Sequence, residues 1–221
     1  METDRRKAID YSLYLVTDRA LSRGRSTMAI VSAAVAGGVT VVQLREKSAE
    51  TREFFQEAMA VRGFLKKRKI PLIINDRIDV ALAVEADGVH LGQKDMPIES
   101  ARRILGDSMF IGISAESMAD AVAAEKAGAD YLGVSPIFST PTKTDTAPAL
   151  GLEGLRRIRE VVSLPLVGIG GLNAGNAARV IEHGADGVAV VSAIVSADDP
   201  ELAARALFHI VSAEKKARVK P

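Results

Sequence analysis

Three polar residues, Gln43, Arg45 and Lys47, stand two positions apart at the end of an apolar segment. In a β-strand, side chains with this spacing share one face, and the neighbouring Val42 and Leu44 point to the other face. An amide and two cations on one face are suited to binding an anion such as a phosphate. A strand end that frays into solvent would also tolerate these charges, and for Lys47 this explanation is a strong one.

Two aspartates follow two later apolar segments. Asp76 comes directly after Asn75, and Asp95 follows Lys94. Each Asp stands just before a predicted helix and could cap its N-terminus. If the two segments are adjacent strands, both carboxylates lie on one rim, where carboxylates, phosphate oxygens and waters are the usual ligands of Mg²⁺. No His accompanies the pair, so zinc is not expected.

Two further apolar segments end in sequences that are typical of phosphate sites. Gly168–Gly171 reads GIGG, and Val190–Ser192 reads VVS. In barrels of alternating strands and helices, the loops after strands seven and eight commonly bind phosphate through backbone N–H groups. Gly171 would let the backbone approach an anion closely. A tight turn that needs Gly for its geometry alone is the alternative.

A hydroxyl-rich segment runs from Ser139 to Thr144 and carries one cation, Lys143. The connection around it, 139–148, is longer than the ~2–6 residues that usually join a strand to the next helix. At the catalytic face of a barrel, a long loop of this kind indicates a lid. The alternative is a hydrophilic surface loop.

The elements that must position these residues form a repeating pattern. A helix end, a Gly-containing turn and an apolar strand recur at 34–44, 84–92, 125–134 and 181–191, as expected of stacked supersecondary units. Gly37, Gly128 and Gly184 are expected to end helices in the left-handed conformation. Continuous apolar runs predict strands that are buried on both faces, at 12–17, 41–46, 71–76, 88–91, 110–114, 131–136, 165–170 and 187–192.

Eight such strands alternating with helices predict an α/β fold, a single (β/α)₈ TIM barrel. The second choice, an open doubly wound sheet, would need a Gly-rich phosphate loop after its first strand, and the segment TDRALSRGR does not supply one. In a barrel, functional residues lie at the C-terminal ends of the strands, which is where the polar residues above fall. His90, inside the fourth strand, is expected to be a packed core residue.

Length and composition restrict the class of protein. The 221 residues are 48% hydrophobic, carry a formal net charge of +1 and include no Cys. We therefore expect one domain over 1–221, with a polar N-terminal segment at 1–11 and a basic tail at 213–221. The balanced charge argues against nucleic acid or a membrane as partner, and no apolar run is long enough to span a bilayer. A cytoplasmic enzyme that acts on small molecules is expected; its oligomeric state is left open.

Taken together, these segments resemble the thiamine-phosphate synthase family nearly from end to end. The matching phrases are YLVTD (14–18), QLREK (43–47), IIND (73–76), DGVHLGQKD (87–95), IGIS (111–114), TPTK (140–143), GIGG (168–171) and VVS (190–192). The resemblance implies a Mg²⁺-dependent transferase that joins a hydroxymethylpyrimidine diphosphate to a thiazole phosphate. The implied products are thiamine phosphate and pyrophosphate.

Carried over by position, the resemblance also implies the site residues. The diphosphate substrate would contact Gln43, Arg45, Lys47, Asn75, Ser114 and Lys143, and of these Arg45, Lys47, Ser114 and Lys143 would be catalytic. Leu44, Glu46 and Pro141, which lie within the same matching phrases, would also be substrate contacts. Mg²⁺ would be held by Asp76 and Asp95. The thiazole phosphate would contact Thr140, Thr142, Gly171, Val191 and Ser192. The sixth loop departs from the family pattern, with Ser135 and Ser139 in place of a Gly and a Pro.

Two alternatives remain at this point. A paralogue on the same barrel that acts as a thiazole tautomerase would keep the phosphate loops but would not need the Asp76–Asp95 pair. A regulatory protein that binds thiamine phosphates without catalysis could lose Lys143 or the Asp pair without penalty. All of these residues are present, which favours the synthase.

Overall fold

A closed barrel of parallel strands organises the chain. The computed structural model describes residues 9–139 and 148–219. Within them, strands β1 to β8 pair in sequence order, and β1 also pairs with β8, which closes the ring. The strands are β1 Leu13–Val16, β2 Val41–Leu44, β3 Leu72–Asn75, β4 Gly88–Leu91, β5 Phe110–Ala115, β6 Tyr131–Val134, β7 Leu166–Ile169 and β8 Gly187–Val190. The predicted (β/α)₈ barrel is confirmed, and the open sheet is excluded.

Helices follow the strands and cover the outside of the barrel. They are α1 Thr27–Ala36, α2 Thr51–Lys66, α3 Ile78–Ala83, α4 Ile98–Leu105, α5 Met118–Lys126, α6 Gly151–Val161, α7 Ala177–Glu182, α8 Ser192–Val195 and α9 Pro200–Val219. The last helix packs on α1 and α7, and the basic segment at 213–221 continues it as far as Val219 instead of forming a separate tail. No helix in the described ranges is long and apolar enough to cross a lipid bilayer.

Alternate residues of the strands divide the apolar core into two parts. Outward-facing side chains such as Leu44 pack beneath the helices. Inward-facing side chains, including Tyr14 and Tyr131, fill the barrel itself. Ile9 and Tyr11 join this inner cluster, so the end of the predicted polar segment at 1–11 contributes to the core. Strands that are buried on both faces therefore account for the continuous apolar runs in the sequence.

The aspartates of the repeated turns have a structural role at the N-terminal ends of the strands. Each accepts a hydrogen bond from a backbone N–H near the start of a strand and forms an ion pair with an Arg. The sets are Asp87 with Leu72 and Arg62, Asp130 with Ile111 and Arg102, and Asp186 with Leu166 and Arg159. These carboxylates satisfy backbone groups that would otherwise lack a partner, so the repeat reflects the fold and not the chemistry of the site.

Six of the strands end one or two residues earlier than predicted, and in β2 and β3 this changes the element on which a site residue lies. The second strand ends at Leu44 and the third at Asn75, so Arg45 and Asp76 are the first residues of their loops. The cause is the turn at the mouth of the barrel, where the chain must leave the ladder to reach the next helix. Both residues still lie at the C-terminal end of the barrel, as the sequence predicts.

One glycine of the repeated turns differs from its predicted role. Gly128 and Gly184 have φ values of +90° and +106°, as expected of residues that reverse the chain after a helix. Gly37 instead has a right-handed φ of −80°, and Gly38 reverses the chain with a φ of +105°. Gly37 is required for close packing, because a Cβ there would lie 2.6 Å from the Cβ of Ala204 on α9.

Candidate active site

A cavity of about 350 Å³ opens at the C-terminal ends of the strands, and each strand or the loop after it contributes to the wall. Most predicted site residues in the described part of the chain line this cavity: Gln43, Arg45, Lys47, Asn75, Asp76, Asp95, Ser114, Gly171, Val191 and Ser192. The closed barrel thus gathers residues that are distant in the sequence around one space large enough for a small-molecule ligand.

Two predicted contact residues do not line the cavity. Leu44 is 1% exposed and belongs to the outer core beneath the helices. Glu46 forms an ion pair with Arg19, with 2.7 Å between the carboxylate oxygen and Nε. The alternation of side chains along β2 directs Leu44 away from the barrel axis, so its side chain cannot contact a ligand in the cavity.

Arg45 is oriented by the residues that follow β1. Its backbone N–H donates to Thr17 Oγ1 at 3.0 Å, and its Nη1 donates to Asp18 Oδ2 at 2.8 Å. A guanidinium carries about five N–H donors in a planar fork, so the bond to Asp18 fixes the group and leaves donors for an anion. Arg45 is thus pre-oriented at the rim of the cavity.

Lys47 and Asp76 form an ion pair at the same rim. Asp76 has a left-handed φ of +61°, a conformation that a short polar side chain tolerates better than most. Neither Asp76 nor Asp95 caps a helix, because Arg77 and Pro97 occupy the N-cap positions of α3 and α4. The capping explanation of the two aspartates is therefore wrong.

The second carboxylate, Asp95, lies close enough to Asp76 for the two charges to interact. Burial raises the pKa of the Asp95 carboxyl, and the adjacent Asp76 carboxyl raises it further, while the backbone N–H of Gly92 and the charge of Lys47 lower it. The Gly92 N–H donates to Asp95 Oδ2 at 2.7 Å. Two carboxylates that disfavour each other's charge attract a divalent cation, which offsets both charges.

The chemistry of the donor set fits magnesium. The described residues contain no group of three or more His, Cys, Asp or Glu that could hold a metal ion. A closed zinc site with four protein ligands is therefore not formed by them. Mg²⁺ commonly uses one or two carboxylates and completes its shell with substrate phosphate oxygens and water, which is the arrangement that Asp76 and Asp95 could support.

The opposite side of the cavity is formed by the loops after β7 and β8. Gly171 has a φ of +67°, and a Cβ there would lie 2.9 Å from the Cβ of Phe138, so only Gly fits. Asn176 Nδ2 donates to the Gly171 carbonyl at 2.9 Å and holds the turn. The backbone N–H groups of Gly171 and Ser192 donate to no acceptor among the described residues. Both remain available to a ligand oxygen.

The floor of the cavity contains three residues that sequence reasoning missed. Tyr14, His90 and Tyr131 line it, and His90, expected to be a core residue, donates to or accepts from Ser114 Oγ at 3.0 Å. The spacing along the strands was a usable signal, because His90 and Tyr131 fall on the inward-facing positions. A second signal was their rarity, since the chain has only three Tyr and three His.

The remaining predicted contacts lie outside the described residues. Thr140, Pro141, Thr142 and Lys143 fall in the interval between residues 139 and 148 that the structure does not describe. The predicted lid at 139–148 includes this interval. Their roles therefore stay predictions from the sequence and from the family resemblance.

Comparison with known proteins gives one consistent result. Residues 13–194 match the family model described as thiamine monophosphate synthase. The chain is 56% identical over 204 residues to a thiamine-phosphate synthase of Chloroflexus aurantiacus, covering 92% of this chain and 94% of that protein. It is 55% identical over 201 residues to that of Albidiferax ferrireducens, covering 91% and 92%. The structure is similar to a thiamine phosphate pyrophosphorylase from Pyrococcus furiosus, with a TM-score of 0.86, 42% identity, and coverage of 93% and 97%.

Proposed function

The chain belongs to the thiamine-phosphate synthase family, and we propose that it joins a hydroxymethylpyrimidine diphosphate to a thiazole phosphate, giving thiamine phosphate and pyrophosphate. The observation that carries this proposal is the cavity itself. A cationic rim and a carboxylate pair lie on one side, and a separate turn with available N–H groups lies on the other. Two phosphorylated substrates require two such anion sites.

The diphosphate substrate is assigned to the side of the cavity formed by β2 to β5. Arg45 and Lys47 would bind its phosphate oxygens, while Gln43, Asn75 and Ser114 would donate hydrogen bonds from the cavity wall. Mg²⁺, held by Asp76 and Asp95, would supply positive charge to the diphosphate. In this arrangement Lys47 exchanges its partner Asp76 for a phosphate oxygen.

The thiazole phosphate is assigned to the loops after β7 and β8. The backbone N–H groups of Gly171 and Ser192, together with the Ser192 hydroxyl, would bind the phosphate oxygens. Val191 lines the same part of the cavity. Thr140 and Thr142 are added from the sequence, since they fall outside the described residues.

The proposed reaction begins with cleavage of the C–O bond between the pyrimidine methylene and the diphosphate. The bonding electrons leave with pyrophosphate, and the positive charge is shared with the pyrimidine ring. Cations at the rim stabilise the charge that grows on the leaving group, which is the role assigned to Arg45 and Lys47, and from the sequence to Lys143. The thiazole nitrogen then forms the new C–N bond with its lone pair.

No general base is required for this chemistry, because the attacking nitrogen carries no proton. The rim accordingly needs cations and hydrogen-bond donors more than a titrating base. Both proposed substrates are small phosphorylated molecules, so the reaction needs no nucleic acid or membrane as partner. Because charged phosphate esters do not cross membranes unaided, we place the reaction in the cytoplasm.

A coupled synthesis tests the proposed function directly. The purified chain, both substrates and Mg²⁺ are incubated, and thiamine phosphate and pyrophosphate are measured in equal amounts over time. Formation of both products supports the synthase. Binding of thiamine phosphate without turnover would instead indicate a regulatory protein, and isomerisation of the thiazole phosphate alone would indicate a tautomerase.

A further inference from the structure

A continuous chain of hydrogen bonds crosses the floor of the cavity. Gln43 Nε2 donates to Tyr14 Oη at 3.0 Å, and Tyr14 Oη lies 2.8 Å from Tyr131 Oη. His90 Nδ1 lies 3.1 Å from Tyr131 Oη, and His90 Nε2 lies 3.0 Å from Ser114 Oγ. These hydrogen bonds therefore connect Gln43 and Ser114, two residues of the proposed diphosphate site. The connection runs through Tyr14, Tyr131 and His90, which have no role in the proposed function.

Two glycines leave the space that the hydrogen-bonded rings of Tyr131 and His90 occupy. A Cβ at Gly112 would overlap the phenol ring of Tyr131, and a Cβ at Gly133 would lie 3.0 Å from Cε1 of His90. Both glycines lie on strands whose inward-facing positions elsewhere carry side chains. The barrel interior is therefore shaped around the two rings, and a larger residue at either glycine would displace them.

The two hydrogen-bonded tyrosines, Tyr14 and Tyr131, keep their hydroxyl protons. Tyr14 is 1% exposed and Tyr131 is fully buried. Burial raises the pKa of both phenols, and for Tyr131 the neighbouring Tyr14 raises it further. Each hydroxyl therefore has one proton to donate and lone pairs with which to accept.

The donors and acceptors of these residues give the series of hydrogen bonds a direction. The Gln43 amide nitrogen can only donate, so Tyr14 accepts from it. Among the described residues the remaining partner of the buried Tyr14 hydroxyl is Tyr131 Oη, so Tyr14 donates its hydrogen bond to Tyr131. Tyr131 in turn donates to His90 Nδ1. A ring nitrogen that accepts carries no proton, so the proton of the neutral imidazole lies on Nε2. Nε2 then donates to Ser114 Oγ.

From this direction we propose that His90 is a positioning residue, held by Tyr131 in the Nε2–H tautomer, which makes Ser114 a hydrogen-bond donor toward the cavity. Because Ser114 Oγ accepts from His90, its own proton is directed to another acceptor. Phosphate oxygens are acceptors only, so this polarity suits the diphosphate substrate. This inference rests on the proposed function for the identity of the ligand, but the tautomer itself does not depend on it.

The opposite tautomer would have the opposite consequence. With the proton on Nδ1, His90 would donate to Tyr131, and Ser114 would donate to Nε2. The Ser114 oxygen would then present lone pairs to the phosphate oxygens, which would repel it. The orientation of the Gln43 amide thus determines, through four hydrogen bonds, whether Ser114 binds or repels an anion.

Nuclear magnetic resonance of the ¹⁵N-labelled wild-type chain tests the tautomer without any substrate. The two ring nitrogens of a neutral His differ widely in ¹⁵N shift, so a long-range ¹H–¹⁵N spectrum assigns the proton for each of the three His. We expect Nε2–H for His90. A proton on Nδ1, or on both nitrogens, at neutral pH would overturn the proposal.

A pair of tyrosine variants tests the role of Tyr131. Tyr131→Phe removes the donor to Nδ1, so we expect a mixture of His90 tautomers and a lower kcat. Tyr11→Phe is the matched control, since Tyr11 stacks on Tyr131 with 4.9 Å between the ring centroids and its buried hydroxyl bonds to no described residue. It should leave the tautomer and kcat unchanged. Equal tautomer shifts in both variants would contradict the proposal.

Two substitutions of His90 separate positioning from structure. In His90→Gln the side-chain amide nitrogen can reach the position of Nε2, whereas in His90→Asn it reaches only that of Nδ1. We expect His90→Asn to lower kcat by roughly 10–100-fold, the range for a hydrogen bond to a charged group, and His90→Gln to recover most of it. Neither should change the KM for the thiazole phosphate.

The outcomes for the two proposals are separable. Equal loss of kcat in His90→Gln and His90→Asn, with unchanged melting temperatures, would overturn the positioning role. If the wild-type chain makes no thiamine phosphate yet shows the Nε2–H tautomer, the proposed function fails and the hydrogen-bond direction stands. If it makes thiamine phosphate with an Nδ1–H tautomer, the positioning inference alone fails.

Discussion

Lys47 pairs with Asp76 across the rim of the barrel, although the two residues are 29 positions apart in the chain. The cation belongs to the proposed diphosphate site, and the carboxylate to the proposed Mg²⁺ site. Their direct contact means that the two sites share an edge. Binding of Mg²⁺ and binding of the diphosphate should therefore be coupled, because each ligand replaces one partner of the same ion pair.

The first prediction concerns the metal. The coupling activity should disappear with chelator, and Mg²⁺ with pyrophosphate should raise the melting temperature of the wild-type chain by mass action. Asp76→Asn and Asp95→Asn should both lose this increase. Asn at position 76 preserves the left-handed backbone, so the fold should be retained.

Asp107→Asn is the matched control for the metal, since Asp107 lies in the connection between α4 and β5, at the other end of the barrel. It should keep both the Mg²⁺-dependent melting shift and the activity. An undiminished rate after metal removal from the wild type would contradict the assignment of Asp76 and Asp95.

The second prediction concerns Arg45. Its replacement by Ala removes a guanidinium that Asp18 orients at 2.8 Å, so the KM for the diphosphate should rise by roughly 10–100-fold, as for loss of a charged hydrogen bond. The KM for the thiazole phosphate should stay within about twofold. Steady-state kinetics with each substrate varied in turn checks this separation, and an equal rise in both KM values would count against it.

The third prediction concerns the thiazole phosphate. Ser192→Ala should raise its KM by about 2–10-fold, the equivalent of one neutral hydrogen bond of about 0.5–1.5 kcal/mol. Ser196→Ala is the control, because the Ser196 hydroxyl donates to the Leu21 carbonyl at 3.1 Å and does not line the cavity. If the two variants bind the thiazole phosphate equally well, the assignment of Ser192 is wrong.

The fourth prediction compares Gly→Ala substitutions at two positions, for which we expect opposite changes in the free energy of unfolding. Gly112→Ala would place a methyl group against the Tyr131 ring and should lower the free energy of unfolding by about 1–3 kcal/mol, as overpacking does. Gly63→Ala, on α2 with no atom near its Cβ, should raise it by about 0.5–1 kcal/mol. Urea denaturation measures both, and changes of the same sign would refute the packing argument.

The fifth prediction depends on the sequence alone. Lys143→Ala should lower kcat more than it raises the KM for the thiazole phosphate, because its assigned partner is the departing pyrophosphate. Trypsin provides an independent readout at this Lys. Pyrophosphate with Mg²⁺ and thiamine phosphate should slow cleavage after Lys143 more than cleavage in the C-terminal segment KKARVK at 215–220. Equal protection at both places would indicate general stabilisation by ligand and not closure of the loop.

The sequence by itself predicted the barrel and most of its rim. Eight apolar segments separated by helices have one closed parallel arrangement, and in that arrangement every strand end points to the same mouth. The positions of Arg45, Lys47, Asp76 and Asp95 could therefore be predicted from their places in the chain. At Gly37, where the backbone differs from the prediction, the decisive contact comes from the distant helix α9.

The tertiary structure alone decided which polar residues contact one another. Tyr14 and Tyr131 are 117 positions apart, and no local pattern predicts that their hydroxyls meet. Both sit on inward-facing strand positions, where an aromatic side chain is compatible with simple core packing. Only the register of the closed barrel brings them to the same height beside His90, and that register is set by the packing of all eight strands together.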